Sequence, residues 1–161
     1  MNKKCKINDS LITHYNKLSL SNNLFLVIKG NHTMQNNKLK YFLIICALLM
    51  FTNILVGTLG AHLWHSQLAL NNGVANFATA RDYLFIHTLS ILFLALLDNK
   101  FPEGRFNWVA SLQLISIILF SGSLMLYALT GEKWLSNITP SGGSGLMLSW
   151  LLLVWRACKI K

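Results

Sequence analysis

From about residue 41 onward the chain alternates long apolar runs with short polar breaks, and the runs have the length of a bilayer-crossing helix, about 20 residues. The first, about 41–61, carries no charge. A cleaved signal peptide has an apolar core of about 7 to 15 residues, so this longer run reads as a span. In the second, only Tyr83 to Leu97 is free of charge, which covers about 22 Å at 1.5 Å per residue. It must extend upstream through Phe77 to Ala80, giving a span of 77–97. Arg81 and Asp82 are then expected in the interface, where Arg snorkels and the pair partly neutralises itself. The third span is read as 106–129. The fourth, 140–157, has to begin inside the sequence TPSGGSG, with Thr139 as N-cap and Pro140 at the first helical position.

Composition agrees with lipid as the solvent. Of 161 residues 53% are apolar and 12% charged, against roughly 25% charged in soluble domains, and the mean hydropathy is +0.47. Four spans use most of the chain and leave little room for a soluble catalytic domain. The expected fold is therefore all-α, an integral membrane bundle of four transmembrane helices. Three cysteines, Cys5, Cys46 and Cys158, argue against a disulfide framework, and Cys46 reads as a small buried apolar residue.

The formal charge is +9, but the basic residues cluster at the ends of apolar runs and form no stripe interleaved with aromatics, so no nucleic-acid partner is expected. With the N-terminus inside, the inner ends carry Lys38, Lys40, Lys100, Arg105, Arg156, Lys159 and Lys161, against Arg81 and Lys133 outside. That asymmetry predicts N-in, C-in. Tyr41, Trp64, Trp108, Trp134 and Trp155 fall where an aromatic belt belongs. The membrane domain is assigned to 34–161. The preceding 1–33 form a polar extension, either disordered or upstream of a true start at Met34, and without them the charge falls to +5.

Helical stepping then sorts the faces. On the first span Met50, Asn53, Gly57, Gly60 and Ala61 share one side, a small-residue pattern that lets backbones approach closely. On the third, Gln113, Ser116, Phe120, Ser123, Tyr127 and Thr130 form a polar stripe that must face the bundle. On the second, Ala80, Tyr83, His87 and Ser90 align. A neutral imidazole at the depth of His87 needs hydrogen-bond partners. His62, at the outer end of the first span, is expected near the same outer side as His87. With Tyr83, Ser121, Ser123, Tyr127, Thr130, Thr139, Ser141 and Ser144 these residues map to the outer half, as either a folding lock or a site open to the outer face.

Four segments, GTLGAH at Gly57 to His62, FATARDYLFIH at Phe77 to His87, FSGSLMLYALTG at Phe120 to Gly131 and TPSGG at Thr139 to Gly143, resemble the YgdD-like inner-membrane proteins. This is the domain-of-unknown-function family 423, also called uncharacterised protein family 0382. The match covers about Met34 to Ala157, in the family's order. The resemblance implies a four-helix integral membrane protein with no established activity or cofactor. Its motif positions fall on Gly60, Ala61 and His62; on Thr79, Ala80, Tyr83 and His87; on Phe120, Ser121, Gly122, Ser123 and Leu124; and on Thr139, Pro140, Gly142 and Gly143. Leu63, Met125 and Ser141 depart from the usual Gly, Tyr and Ile.

The leading functional reading is a non-enzymatic membrane protein with a structural or partner-binding role, its partner another membrane protein or a second copy, and with no cofactor or metal. A small transporter or channel is the first alternative, although Asp82, Asp98, Glu103 and Glu132 all fall at span ends, whereas proton-coupled transporters place acids within the membrane. A haem, metal or quinone site built from His62, His65 and His87, with Tyr83 beside it, is the second. Gly142 to Gly145 also spell the GxSG of intramembrane serine hydrolases, in a Gly-rich setting where so short a match carries little.

Overall fold

The computed structural model describes residues 37–159; the extension 1–33 and the start at Met34 lie outside them. Helix α1 runs Asn37–His62. A short α2, His65–Leu70, leads to α3, Val74–Lys100; one helical turn at Pro102–Gly104 precedes α4, Phe106–Thr130, and α5 covers Lys133–Ala157. Every regular element among the described residues is helical. Helices α1, α3, α4 and α5 are long and apolar enough to cross a membrane, so the chain is an all-α bundle of four transmembrane helices. Each is about 38 to 40 Å long and overhangs a hydrocarbon core of about 30 Å.

Helix α5 corrects one reading of the sequence. It begins at Lys133, seven residues before the expected start, with Glu132 as its N-cap and Pro140 inside it. Thr139 is therefore not a cap. Proline removes one backbone donor and normally breaks a helix, but this one sits among hydroxyls that bond back to the same chain. Ser136 donates to the Lys133 carbonyl at 2.7 Å, Thr139 to Leu135 at 3.3 Å, Ser141 to Ile138 at 2.6 Å and Ser144 to Pro140 at 2.8 Å. Such side chains re-satisfy a membrane helix around proline. Leu135, buried at 5% exposure, anchors the extra turn.

Helices α3 and α4 form the centre. Ile91 and Leu94 from α3 meet Phe106, Val109, Ala110 and Ile117 from α4, Leu146 from α5 and Cys46 from α1 in one apolar core. Polar groups finish the helix ends. The buried Asp98 carboxylate accepts the Asn107 backbone N–H at 3.0 Å and the Asn107 side-chain amide, so the last turn of α3 caps the start of α4. This charge-assisted cap explains how Arg105 holds a left-handed φ of 47° before α4. At the other end Gly131, φ 73°, closes α4, and the Asn71 amide donates to the Leu129 carbonyl at 2.6 Å, seating α2 over that terminus. Trp64 packs edge-on against Phe77 with centroids 6.5 Å apart, so this tryptophan packs onto the bundle.

Candidate functional site

From Gln113 to Ser123 the polar stripe on α4 faces α5, whereas Thr130 at its end is exposed and returns its hydroxyl to the Leu126 carbonyl. The Ser123 and Thr139 hydroxyls lie 2.8 Å apart. Two further steps along the same antiparallel seam are made by glycine: a Cβ on Gly142 would stand 2.5 Å from the Phe120 backbone nitrogen, and one on Gly145 would collide with the Ser116 hydroxyl. The same register brings Ser149, fully buried, level with Gln113, also fully buried. Small residues on α5 thus admit the polar and aromatic side chains of α4, and the stripe and the glycines form one interface.

His87 lies thirteen residues from either end of α3, at its midpoint, and is 7% exposed. Its Nδ1 is 3.0 Å from the Tyr83 carbonyl oxygen and its Nε2 is 3.4 Å from the Trp150 indole nitrogen. A carbonyl only accepts and an indole N–H only donates. In the neutral ring the proton therefore sits on Nδ1, and Nε2 accepts from Trp150. The Tyr83 ring stacks on the imidazole at 5.7 Å and lies 4.8 Å from Phe120. These side chains, with Ile86, Gly143, Leu146 and Met147, line an open, apolar groove of about 520 Å³ between α3 and α5.

His62 does not join them. The Gly57–Arg81 and Gly60–Phe77 contacts fix an antiparallel register between α1 and α3 that sets His62 level with about Asn76. His87 is eleven residues further along, about 16 Å at 1.5 Å per residue. The two histidines are therefore not brought together: face periodicity sets the side of a helix, while depth depends on where α3 starts, and it starts at Val74. His62 is exposed at the end of α1. Among the described residues no three His, Cys, Asp or Glu side chains are grouped closely enough to hold a metal ion.

The other motif residues separate by role. Gly60 lies under the Phe77 ring. Thr79 is exposed and returns its hydroxyl to the Ala75 carbonyl at 3.0 Å. Ser121 is buried at 1% exposure and its hydroxyl has no partner. Around Gly122 a Cβ would meet nothing within 4 Å, and at Gly143 it would touch the Phe120 ring at 3.6 Å. Pro140 is exposed. Sequence reading missed Trp150, the packing role of Gly145 and the capping role of Asp98. The first two carry a usable signal, since Trp150 is seven residues beyond Gly143, hence on the same helical face, and Gly145 continues the Gly142 face.

The arrangement defines a small multi-pass membrane protein, with four helices long and apolar enough to cross a bilayer. The chain belongs to the family described as protein of unknown function DUF423, whose model matches residues 56–143. It is 32% identical over 76% of its length to a UPF0382 membrane protein of Staphylococcus saprophyticus, all of which is covered. It is 30% identical, over the same share, to 92% of the UPF0382 inner membrane protein YgdD of Escherichia coli. A UPF0382 membrane protein of Staphylococcus epidermidis is 33% identical over 72% of this chain and 93% of its own. No solved structure matches the chain.

Proposed function

We propose that this protein acts without catalysis, as a structural or partner-binding component of the membrane, with both termini on the cytoplasmic side. The observation that carries the reading is the engagement of His87. Its two ring nitrogens are taken by Tyr83 and Trp150 within the bundle, which leaves no lone pair directed at a ligand. The Ser123–Thr139 pair is likewise turned inward. What remains open is apolar surface, and the groove walled by Tyr83, Phe120, Gly143, Met147 and Trp150 suits a helix of another membrane protein or a second copy. The haem or metal alternative draws less support, because His62 and His87 are set about 16 Å apart in depth.

A photo-crosslinking residue at Met147, 71% exposed on the groove, tests the partner role in native membranes. The expected product is one adduct of defined mass whose second component is a membrane protein or another copy of the chain. Adducts with lipid alone would overturn the reading. For orientation, seven basic residues against two predict cytoplasmic signals from reporters fused after Lys161 or near Lys100, and an external signal near Lys133. A C-terminal reporter on the external side would refute it.

A further inference from the structure

The least apolar span is left as uncovered as the most apolar one. Helix α5 has a mean hydropathy of 1.2 across an 18-residue stretch, against 2.4 for α1, yet in each only 17% of that stretch is buried. Gly142 and Gly145 turn one side of α5 to α4. Away from that side Asn137, Ser141, Ser144, Leu148, Leu151 and Trp155 are all exposed. They recur at alternating intervals of four and three residues, the heptad spacing of a left-handed helix pair. Cys158, free and exposed, follows three residues later in αR backbone. From Asn137 to Cys158 the strip runs about 32 Å, the thickness of the hydrocarbon core. With about 4 Å of overhang at each helix end, Asn137 lies at the hydrocarbon edge and Ser141 and Ser144 lie within it.

Polar positions on α4 are covered by α5, whereas these face outward from the bundle. The two serine hydroxyls bond to their own helix, and their small side chains let a second backbone approach closely. The Asn137 amide has no partner among the described residues. We propose that two copies of the chain pair in parallel through this face of α5, crossing at about 20° in the left-handed sense. Copies inserted in one orientation present each residue at the same depth, and a two-fold axis along the membrane normal brings like residues together. Between Lys133 and Lys159, at its two ends, the strip carries no charge to repel its like. An amide is both donor and acceptor, so Asn137 pairs with its own copy, as a single seam Asn does in setting coiled-coil register and oligomer state.

Cys158 is a native reporter of this pairing, since a disulfide forms only where Cα atoms come within about 4.4 to 6.8 Å. The full chain carrying Cys5→Ser, oxidised with copper phenanthroline in native membranes, should run at twice its mass without reductant, and adding Cys158→Ser should abolish that band. In the chain lacking both thiols, Ser144→Cys, Leu148→Cys and Leu151→Cys should each bring it back. Val154→Cys, 63% exposed but turned about 100° from Trp155, and Ile115→Cys, 60% exposed on α4, should not. Asn137→Leu, with an unchanged Tm, should raise the dimer dissociation constant about 3- to 30-fold, the worth of one interhelical polar contact in a membrane; energy transfer between labelled copies in liposomes reads it. The strip lies apart from the groove at Met147, so the two tests fail separately. Equal crosslinking on and off the strip, disulfides to a different protein, no dimer at any position, or an unaltered dissociation constant in Asn137→Leu overturns the proposal.

Discussion

Alanine at Gly142 is expected to destabilise the bundle by about 1 to 3 kcal/mol, the usual range for overpacking, and leucine there to prevent a folded, monodisperse protein from accumulating. A Cβ at this position falls 2.5 Å from the Phe120 nitrogen, 2.8 Å from its Cα and 2.9 Å from its Cβ. Two of those atoms are backbone, held in the α4 hydrogen-bond ladder, so the clash is relieved only by moving the helices apart and breaking the 2.8 Å Ser123–Thr139 contact one turn away. Gly122→Ala is the control. Nothing lies within 4 Å of its Cβ, and replacing a helical glycine recovers up to about 1 kcal/mol of helix propensity. Thermal melts of the two alanine variants in one detergent decide the matter: equal stability of Gly142→Ala and the unaltered protein would show that α4 and α5 do not approach this closely.

The second large effect is expected at the His87–Trp150 pair. His87→Leu removes the acceptor for the part-buried Trp150 N–H and is expected to cost about 1 to 3 kcal/mol, the desolvation of one donor left unsatisfied away from water. His87→Gln keeps a hydrogen-bonding side chain and should stay within about 0.6 to 2 kcal/mol, the range for interhelical polar contacts in membranes. Trp150→Phe leaves Nε2 without its donor. Because removing both partners relieves the mismatch, the double variant His87→Leu, Trp150→Phe should be less destabilised than the sum of its singles. Strict additivity in equilibrium unfolding would break the assignment of this bond and with it the reading of His87 as structural.

The spans were legible because they depend on run length and charge, which are written locally. The start of α5 was not, since KWLSNITP looks like a polar loop closed by an N-cap and a proline. Only the hydroxyls of Ser136, Thr139, Ser141 and Ser144 on neighbouring carbonyls reveal a helix running through it. The inward face of α4 was legible from its 3.6-residue period, and its partner was not. Depth was the main loss. Periodicity placed His87 on an inward face and span length placed His62 at the outer end of α1, but the register between α1 and α3 is set by where Arg81 and Phe77 rest on Gly57 and Gly60, contacts between residues far apart in the sequence. The same kind of contact lays the half-buried Arg81 side chain over Gly57.

The link between α4 and α5 is only two residues, Gly131 and Glu132. During synthesis the two helices therefore leave the insertion machinery as a hairpin. Gln113, Ser116 and Ser123, which would be poorly tolerated against acyl chains, meet Gly145, Ser149 and Thr139 as soon as α5 emerges. Helix α3, already in place, receives α4 through Asp98 at the preceding turn. Each polar face is thus covered by the segment translated next or just before it, so the order of translation is also an order of shelter.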